Sequence, residues 1–296
     1  MNRYAMNTRQ DVMTTDDAQS EGLVLTRVVN GVMTITLNEP KTGNALDVAM
    51  TEALADALER ASGLSNVHCV LLRSSGKHFC TGGNVKDMEA GADLMQGSVE
   101  AVRERLAGSL HRIPRALHAL PVPSIAAVNG AAVGAGFDVA LMCDLRIAAE
   151  NARFSESFLR LGLVSGIGGA WFLTRIVGVA KTMELTLTSE FIDAFQALDA
   201  GIVSRVVAVD ALDAEAERLA ETIANSPPHA LRMAKQLVRQ SAEASLPTAL
   251  EMAASMQAIL LCGEEHRPRF AGFSSEALAD DVRYVIQIKI NGRRQS

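Results

Sequence analysis

The earliest clear pattern in the chain is alternation. Residues 23–29 (LVLTRVV) and 31–37 (GVMTITL) place apolar side chains at every second position around Asn30-Gly31, which predicts a β-hairpin with a tight turn. Residues 38–44 (NEPKTGN) read as a loop, and residues 46–62 repeat apolar positions at helical spacing, with Asp47 near the start as a cap. A strand is predicted at 67–73, followed by a glycine-bearing bend at 74–84 (SSGKHFCTGGN). Residues 91–119 read as helix and lead into Pro121-Val-Pro123. From Ser124 the sequence predicts a buried strand, a turn at Asn129-Gly130, a second glycine-rich bend at Gly134-Ala135-Gly136, and an apolar helix starting near Phe137. Strand, bend and helix thus recur twice.

The cycle continues with a strand at 145–149, a loop at 151–169, a helix from about Ala170 and a short strand at 203–207. Beyond that the pattern is helical, at 211–225, 228–240 and 247–261, with prolines near two of the starts. Residues 264–269 read as a loop, and residues 284–290 alternate like a strand that has no obvious partner. Residues 1–20 are polar, with little to bury, and are expected to form a disordered tail. The organisation expected is therefore a tail at 1–20, a core at 21–210, and a helical C-terminal region at 211–296. A chain of 296 residues suffices for one large core and a smaller appendage.

Composition narrows the function classes. Acidic side chains outnumber basic ones, 34 to 28, and aromatics make up only 4%. Both features argue against nucleic acid or an anionic membrane surface as partner. The longest apolar run, residues 125–142, is broken by Asn129, by glycines and by Asp138, so it makes a poor membrane span. The polar N-terminus lacks a secretory h-region. Cys69, Cys80, Cys143 and Cys262 have no metal-ligand spacing and read as buried free thiols in a reducing, cytoplasmic setting. The six histidines show no HExxH or similar spacing, so no metal site is expected; His78 alone lies near a candidate site.

The glycine bend at Gly134 does not read as a nucleotide site. The third glycine of a dinucleotide fingerprint falls on Val139, no acidic residue follows at the required spacing, and neither GxxxxGK[ST] nor GxSxG occurs. Asp138 is more telling. It lies in an apolar helical turn, where an unpaired carboxylate is expensive, so it needs a buried partner or a function. Glu156 reads first as a loop carboxylate and only second as a base, and Asp87 and Glu89 read as solvated. Two bends that each expose N–H groups after a strand suggest a pair of donors on one oxygen, able to stabilise an enolate or a tetrahedral oxyanion. The residues alone leave open whether the bends are instead no more than tight connections.

Longer segments carry a resemblance. Phe79-Cys-Thr-Gly-Gly-Asn-Val-Lys-Asp-Met88 resembles the F-x-A-G-A-D-[IL]-x-x-[ML] segment of the crotonase superfamily, the enoyl-CoA hydratases and isomerases. The run from Pro123 to Ala148 resembles its P-x-I-A-A-V-x-G-x-A-x-G-G-G-x-E-L-A-x-x-C-D-x-x-x-A segment nearly throughout. Asn38-Glu-Pro-Lys-Thr-Gly-Asn-Ala-Leu46, Leu161-Gly-Leu-Val and Gly168-Gly-Ala-Trp171 extend the likeness over residues 22–261. It implies an α/β crotonase spiral of repeated ββα units with a helical C-terminal trimerisation region, hence a homotrimer or a hexamer. It also implies an acyl-CoA substrate, with coenzyme A present only as part of the thioester and no permanently bound cofactor. The family's oxyanion-hole amides fall on the backbone N–H groups of Thr81 and Ala135. Gly82, Gly83 and Asn84 then line the pantetheine channel, with Ala45, Val85 and Gly134 beside them, and Lys41 is placed to meet CoA phosphates.

The departures from the pattern bear on the chemistry. Hydratases of the superfamily carry one glutamate where Asp138 stands and a second where Phe158 stands, and Phe158 can neither give nor take a proton. Relatives that shift double bonds place an aspartate where Gly166 and Ile167 stand. Asp138 is the acid that carries over, with Glu156 the weaker candidate two residues from the vacant position. Residues 264–270 resemble the family's last helix with its middle removed. The resemblance therefore implies hydration or double-bond isomerisation of an enoyl-CoA through Asp138, isomerisation being better suited to one acid. The alternative is a catalytically weak acyl-CoA-binding paralogue or assembly subunit. A third reading has the substrate itself supply a carboxylate or phenol, which makes Phe158 the wall of a pocket for an aromatic or branched acyl group.

Overall fold

The computed structural model describes residues 21–84 and 96–265, which divide into two compact units meeting between Asn225 and Ser226. In the first unit the hairpin forms as its alternation predicts. β1 (Val24–Val29) pairs antiparallel with β2 (Val32–Leu37), Val29 opposite Val32. Asn30 (φ 50°) and Gly31 (φ 77°) both take the left-handed conformation that a two-residue turn between twisted strands requires. Parallel strands then add to β2 in the order β3 (Cys69–Ser74), β4 (Ser124–Val128), β6 (Leu145–Ala149) and β9 (Arg205–Val207).

Both faces of this sheet are covered, and alternation along each strand decides which residue meets which layer. Met33, Ile35, Val70, Leu72 and Ala126 face α1 (Val48–Gly63), which presents Met50, Leu54 and Leu58, and α3 (Arg112–Ala119), which presents Ile113 and Leu117. Val32, Leu71, Ile125 and Ile147 point the other way, onto Leu212, Ala216, Ala220 and Ala224 of α7 (Leu212–Ala224). That helix belongs with the sheet rather than with the C-terminal region to which the sequence pattern assigns it. Asp47 caps α1, its carboxylate accepting the Met50 N–H at 2.7 Å, a contact of about 1 kcal/mol.

A second, small sheet has three short strands. β5 (Ala131–Val133) and β7 (Arg153–Ser155) run parallel, and β8 (Ile192–Asp193) is antiparallel to β7. Its two- and three-residue strands escape a reading by periodicity, which predicts loop over residues 151–169. A 3₁₀ turn (Ser157–Leu161) also lies in that stretch. Between β3 and β4 the expected long helix is broken: α2 (Val99–Arg105) runs into a π-helical turn (Leu106–Leu110) before α3. α4 (Ala135–Met142) begins at Ala135, two residues earlier than its hydrophobicity suggests. α5 (Gly169–Thr188) precedes β8, and α6 (Ala194–Asp199), closed by an Asp193–Gln196 capping box, follows it.

The second unit contributes α8 (Pro228–Ser241) and α9 (Leu246–Cys262), which pack against each other. Neither helix buries a single side chain fully, and Val238, Leu246, Leu250 and Ile259 are each more than half exposed. Cys69, Cys80 and Cys143 are buried as expected and form no disulfide; Cys262, at the end of α9, is exposed. Among the described residues no group of three potential ligands is placed to hold a metal ion, and no helix is long and apolar enough to cross a membrane. The expected tail at 1–20, the strand at 284–290, Val85, Asp87, Glu89 and His266 lie outside the described residues.

Candidate active site

The two glycine bends meet, and backbone contacts without intervening side chains bring them together. Cys80 bridges Ala132 in parallel fashion: its N–H donates to Ala131 O at 3.1 Å, and its carbonyl accepts from Val133 N at 3.0 Å. The fit leaves no room for a side chain at two positions. A Cβ on Gly136 would stand 2.1 Å from the Cys80 carbonyl oxygen, and one on Gly82 would stand 2.6 Å from Val133 O and 3.5 Å from Ala135 N. Gly82 is therefore packed against the amide of Ala135. As the first residue of α4, Ala135 has an N–H with no acceptor within its own helix.

The other expected donor is engaged. Thr81 N–H donates to Gly43 O at 3.0 Å, and the Thr81 hydroxyl reaches the carbonyls of Thr42 and Gly43. The 39–44 loop lies over the first bend because Asn44, buried and at φ 57°, ties it there. Its amide donates to Ser75 O (3.0 Å) and His78 O (2.9 Å), while its carbonyl accepts from Glu39 N. Leu46 N then closes onto Gly82 O at 2.7 Å. Ala45 is buried beneath this loop, so it supports the wall rather than forming it.

Beside the joined bends, Lys41 and Lys77 line a cavity of about 550 Å³ with Thr42, His78 and Thr81. Lys41 is expected from the sequence and Lys77 is not, because its place in the same lining follows only from the loop's position over the bend. His78 braces the site: its Nδ1 accepts the Ala131 N–H at 3.2 Å.

Asp138 lies one helical turn past Ala135, fully buried. The partner demanded by its apolar setting is Glu156, which is 2% exposed and carboxyl to carboxyl with it. Three contacts place Glu156 there. The Phe137 and Phe154 rings pack at 5.3 Å and hold β7 beneath α4. Gly134 N donates to Ser155 O at 2.8 Å, and the Ser189 hydroxyl holds the Glu156 carbonyl at 3.1 Å. Ser165, which nothing in the sequence singles out, donates its hydroxyl to Asp138 Oδ2 at 2.6 Å and accepts from Gly169 N at 2.9 Å. A Cβ on Gly169 would fall 1.8 Å from Asp138 Oδ1.

Burial raises the proton affinity of both acids. For Asp138 the rise is opposed by the nearby Glu156 carboxyl, the Ser165 hydroxyl and the Gly169 amide, although only Ser165 forms a hydrogen bond of good geometry, and Asp138 Oδ1 and Glu156 Oε1 are left without one. For Glu156 burial acts together with the negative charge of Asp138, and both raise its proton affinity. Two carboxyls in contact away from water cannot both ionise, so the pair holds one proton between them and titrates as a unit. Glu156 is thus not a solvated loop carboxylate but half of a proton-holding dyad. Phe158 lies beside the bend: its ring is within 3.6 Å of where a Cβ on Gly134 would stand. Gly134 itself is at φ 52°. Gly83 and Asn84 follow Gly82, both partly exposed.

Known proteins share this architecture. The sequence profile of the family described as "Enoyl-CoA hydratase/isomerase" matches residues 27–273. A Rhizobium meliloti protein named "Probable enoyl-CoA hydratase" is 37% identical over 246 residues, covering 83% of this chain and 92% of its own length. The Escherichia coli 1,2-epoxyphenylacetyl-CoA isomerase is 33% identical over 250 residues, 84% of this chain and 94% of its own. Among solved structures, an enoyl-CoA hydratase from Bacillus anthracis superposes with a TM-score of 0.79 at 30% identity, over 85% of this chain and 96% of that one. With a mixed α/β spiral, two joined glycine bends and a buried acid one turn beyond the second, the chain belongs to the enoyl-CoA hydratase/isomerase family of the crotonase superfamily.

Proposed function

We propose that this protein isomerises the double bond of an enoyl-CoA thioester through an enolate, with Asp138 taking the proton from one carbon and returning it to another. The observation that carries this reading is the carboxyl pair: Asp138 is buried against Glu156 one helical turn from the open amide of Ala135. Isomerisation moves one proton and needs one group to hold it. Hydration needs a base for water and an acid for the α-carbon, separated by room for that water. Asp138 and Glu156 are in contact, which leaves no such room between them, and Phe158 supplies neither role.

The thioester oxygen is placed at Ala135 N–H, with Thr81 N–H as the second donor. The Gly43 carbonyl now occupies Thr81 at 3.0 Å, but an enolate oxygen carries full negative charge and is the stronger acceptor, so it displaces a neutral carbonyl. Lys41 and Lys77 on the neighbouring cavity are suited to the CoA phosphates, and Gly82, Gly83 and Asn84 form the path between. The exposed apolar side chains of α8 and α9 support assembly into a trimer or a pair of trimers, because two helices with no fully buried side chain have little of the packing that stabilises helices in water. Cysteines that form no disulfide among the described residues support a reducing, cytoplasmic setting.

The test is a panel of 2-enoyl- and 3-enoyl-CoA substrates assayed with wild type and Asp138→Asn. The expected result is double-bond migration by wild type and a loss of about 10²–10⁴-fold in kcat for the variant, with unchanged CoA-ester binding. Tight binding without turnover of any substrate would establish the catalytically weak binder instead. Undiminished turnover by Asp138→Asn would remove Asp138 from the mechanism.

A further inference from the structure

We propose that the hydroxyl of Ser165 is the atom through which the Asp138–Glu156 pair exchanges protons with substrate. The proposal rests on the isomerase reading and adds to it the route that the proton takes.

The difficulty it resolves is access. Asp138 is fully buried and Glu156 is 2% exposed, so neither carboxyl presents surface to a bound molecule. Asp138 Oδ1 faces the backbone of Gly169, where not even a methyl group fits, and Oδ2 is covered by Ser165 at 2.6 Å. Ser165 is itself only partly buried. Its other side lines a cavity of about 460 Å³, with His111, Arg115, Ile167, Trp171 and Phe172 among the walls. Ser165 thus touches buried Asp138 and also borders open space.

Its hydrogen bonding leaves the capacity that a relay needs. A hydroxyl has one proton to donate and two lone pairs to accept with. The proton goes to Asp138 Oδ2, and one lone pair receives Gly169 N–H at 2.9 Å. One lone pair remains. The segment is held in place, because His111 Nε2 meets Gly166 O at 2.8 Å and Gly169 opens α5 against Asp138. Ser165 therefore needs no loop movement to act.

The step balances as follows. The substrate C–H bond breaks and its electron pair remains in the enolate; the proton forms a new bond to Ser165 Oγ. The proton that Oγ already held moves to Asp138 Oδ2, turning that carboxylate into an acid while Glu156 keeps its own proton. The reverse transfer delivers a proton to the second carbon and restores the starting pair, so no co-reactant is consumed.

The experiment follows solvent exchange of the substrate's acidic C–H in D₂O by NMR, together with isomerase kcat and KM, for wild type, Ser165→Ala, Ser165→Thr and Asp138→Asn. Ser165→Ala is expected to lose about 100-fold or more in both exchange and kcat, with KM little changed, and Ser165→Thr, which keeps the hydroxyl, to recover most of the rate. If wild type is active and Asp138→Asn is inactive while Ser165→Ala keeps its rate, the relay is overturned and the isomerase reading stands. If wild type neither exchanges nor turns over any enoyl-CoA, the isomerase reading fails and the relay with it. A pair of isotope effects on wild type needs no variant to fold: where deuteration of the substrate C–H slows turnover, the relay also puts the exchangeable Ser165 proton in flight and gives a normal solvent isotope effect in D₂O, and a C–H effect with no solvent effect overturns the relay.

Discussion

Replacing Glu156 with glutamine should make the protein more stable as pH rises, by an amount that the carboxyl pair sets. In the folded chain Glu156 holds its proton through neutrality, because burial and the Asp138 charge both oppose its ionisation. In the unfolded chain it ionises near the ordinary glutamate value of about 4.3. The folded state therefore binds one more proton than the unfolded state, and a raised carboxyl affinity contributes stability that is complete at low pH and is lost as pH climbs. The slope for one proton is about 1.4 kcal/mol per pH unit, or about 2.7 kcal/mol between pH 6 and pH 8. The rise at Asp138 acts in the same direction. The glutamine of the variant has no proton to lose, so the Glu156 contribution vanishes, and its amide can donate to an ionised Asp138, which reduces the rise there that burial still causes. Urea unfolding of wild type and Glu156→Gln at pH 6, 7 and 8, at one protein concentration, isolates them, since every other titrating group is common to both chains. The stability difference should grow toward alkaline pH in favour of the variant. A difference that stays flat across that range would mean Glu156 is ionised in the folded protein and that the pair shares no proton.

Lys41→Ala and Lys77→Ala should each raise KM for a CoA thioester by about tenfold, the worth of one charge-assisted contact to phosphate, while leaving kcat nearly unchanged. The wild-type KM should climb with ionic strength and the double variant's should not; KM values insensitive to both lysines would place the phosphates elsewhere. Gly136→Ala sets a methyl against the Cys80 carbonyl at 2.1 Å, backbone against backbone. It should cost about 3 kcal/mol, visible as a lowered Tm, and should separate the bends so that activity falls further than stability accounts for. A variant of wild-type stability would show that the contact yields easily.

The sheet was largely legible because its signals are local. Alternation in residues 23–37 and the Asn30-Gly31 turn dictate the hairpin and its register, and apolar runs bounded by turn residues locate β3, β4 and β6. The elements that were missed have no such signal. β5, β7 and β8 are two or three residues long, shorter than any period can establish, and they exist because Cys80, Ser155 and Ile192 find partners from distant parts of the chain. The C-terminal boundary was misplaced for a related reason. α7 is amphipathic like the helices after it, and only the sheet residues that cover Ala216 and Ala220 distinguish it from them.

The site divides along the same line. Asp138 was found because a carboxylate inside an apolar helix contradicts its own surroundings, and that contradiction is visible in a single segment. Glu156 sits in a polar stretch between short elements, where nothing local distinguishes it from a solvated side chain. Its environment is made by Phe137 on Phe154, by Ser189 on its carbonyl, and by Asp138 itself. Ser165 is less visible still, a serine among glycines 27 residues from the acid it serves. A vacancy at Phe158 suggested that one acid works alone. The fold brings a second acid from close by: the chain that carries Phe158 past Gly134 buries Glu156, two residues earlier, near Asp138. A proton-holding pair is a property of two segments packed together, so either segment read alone shows one acid and a question about its partner.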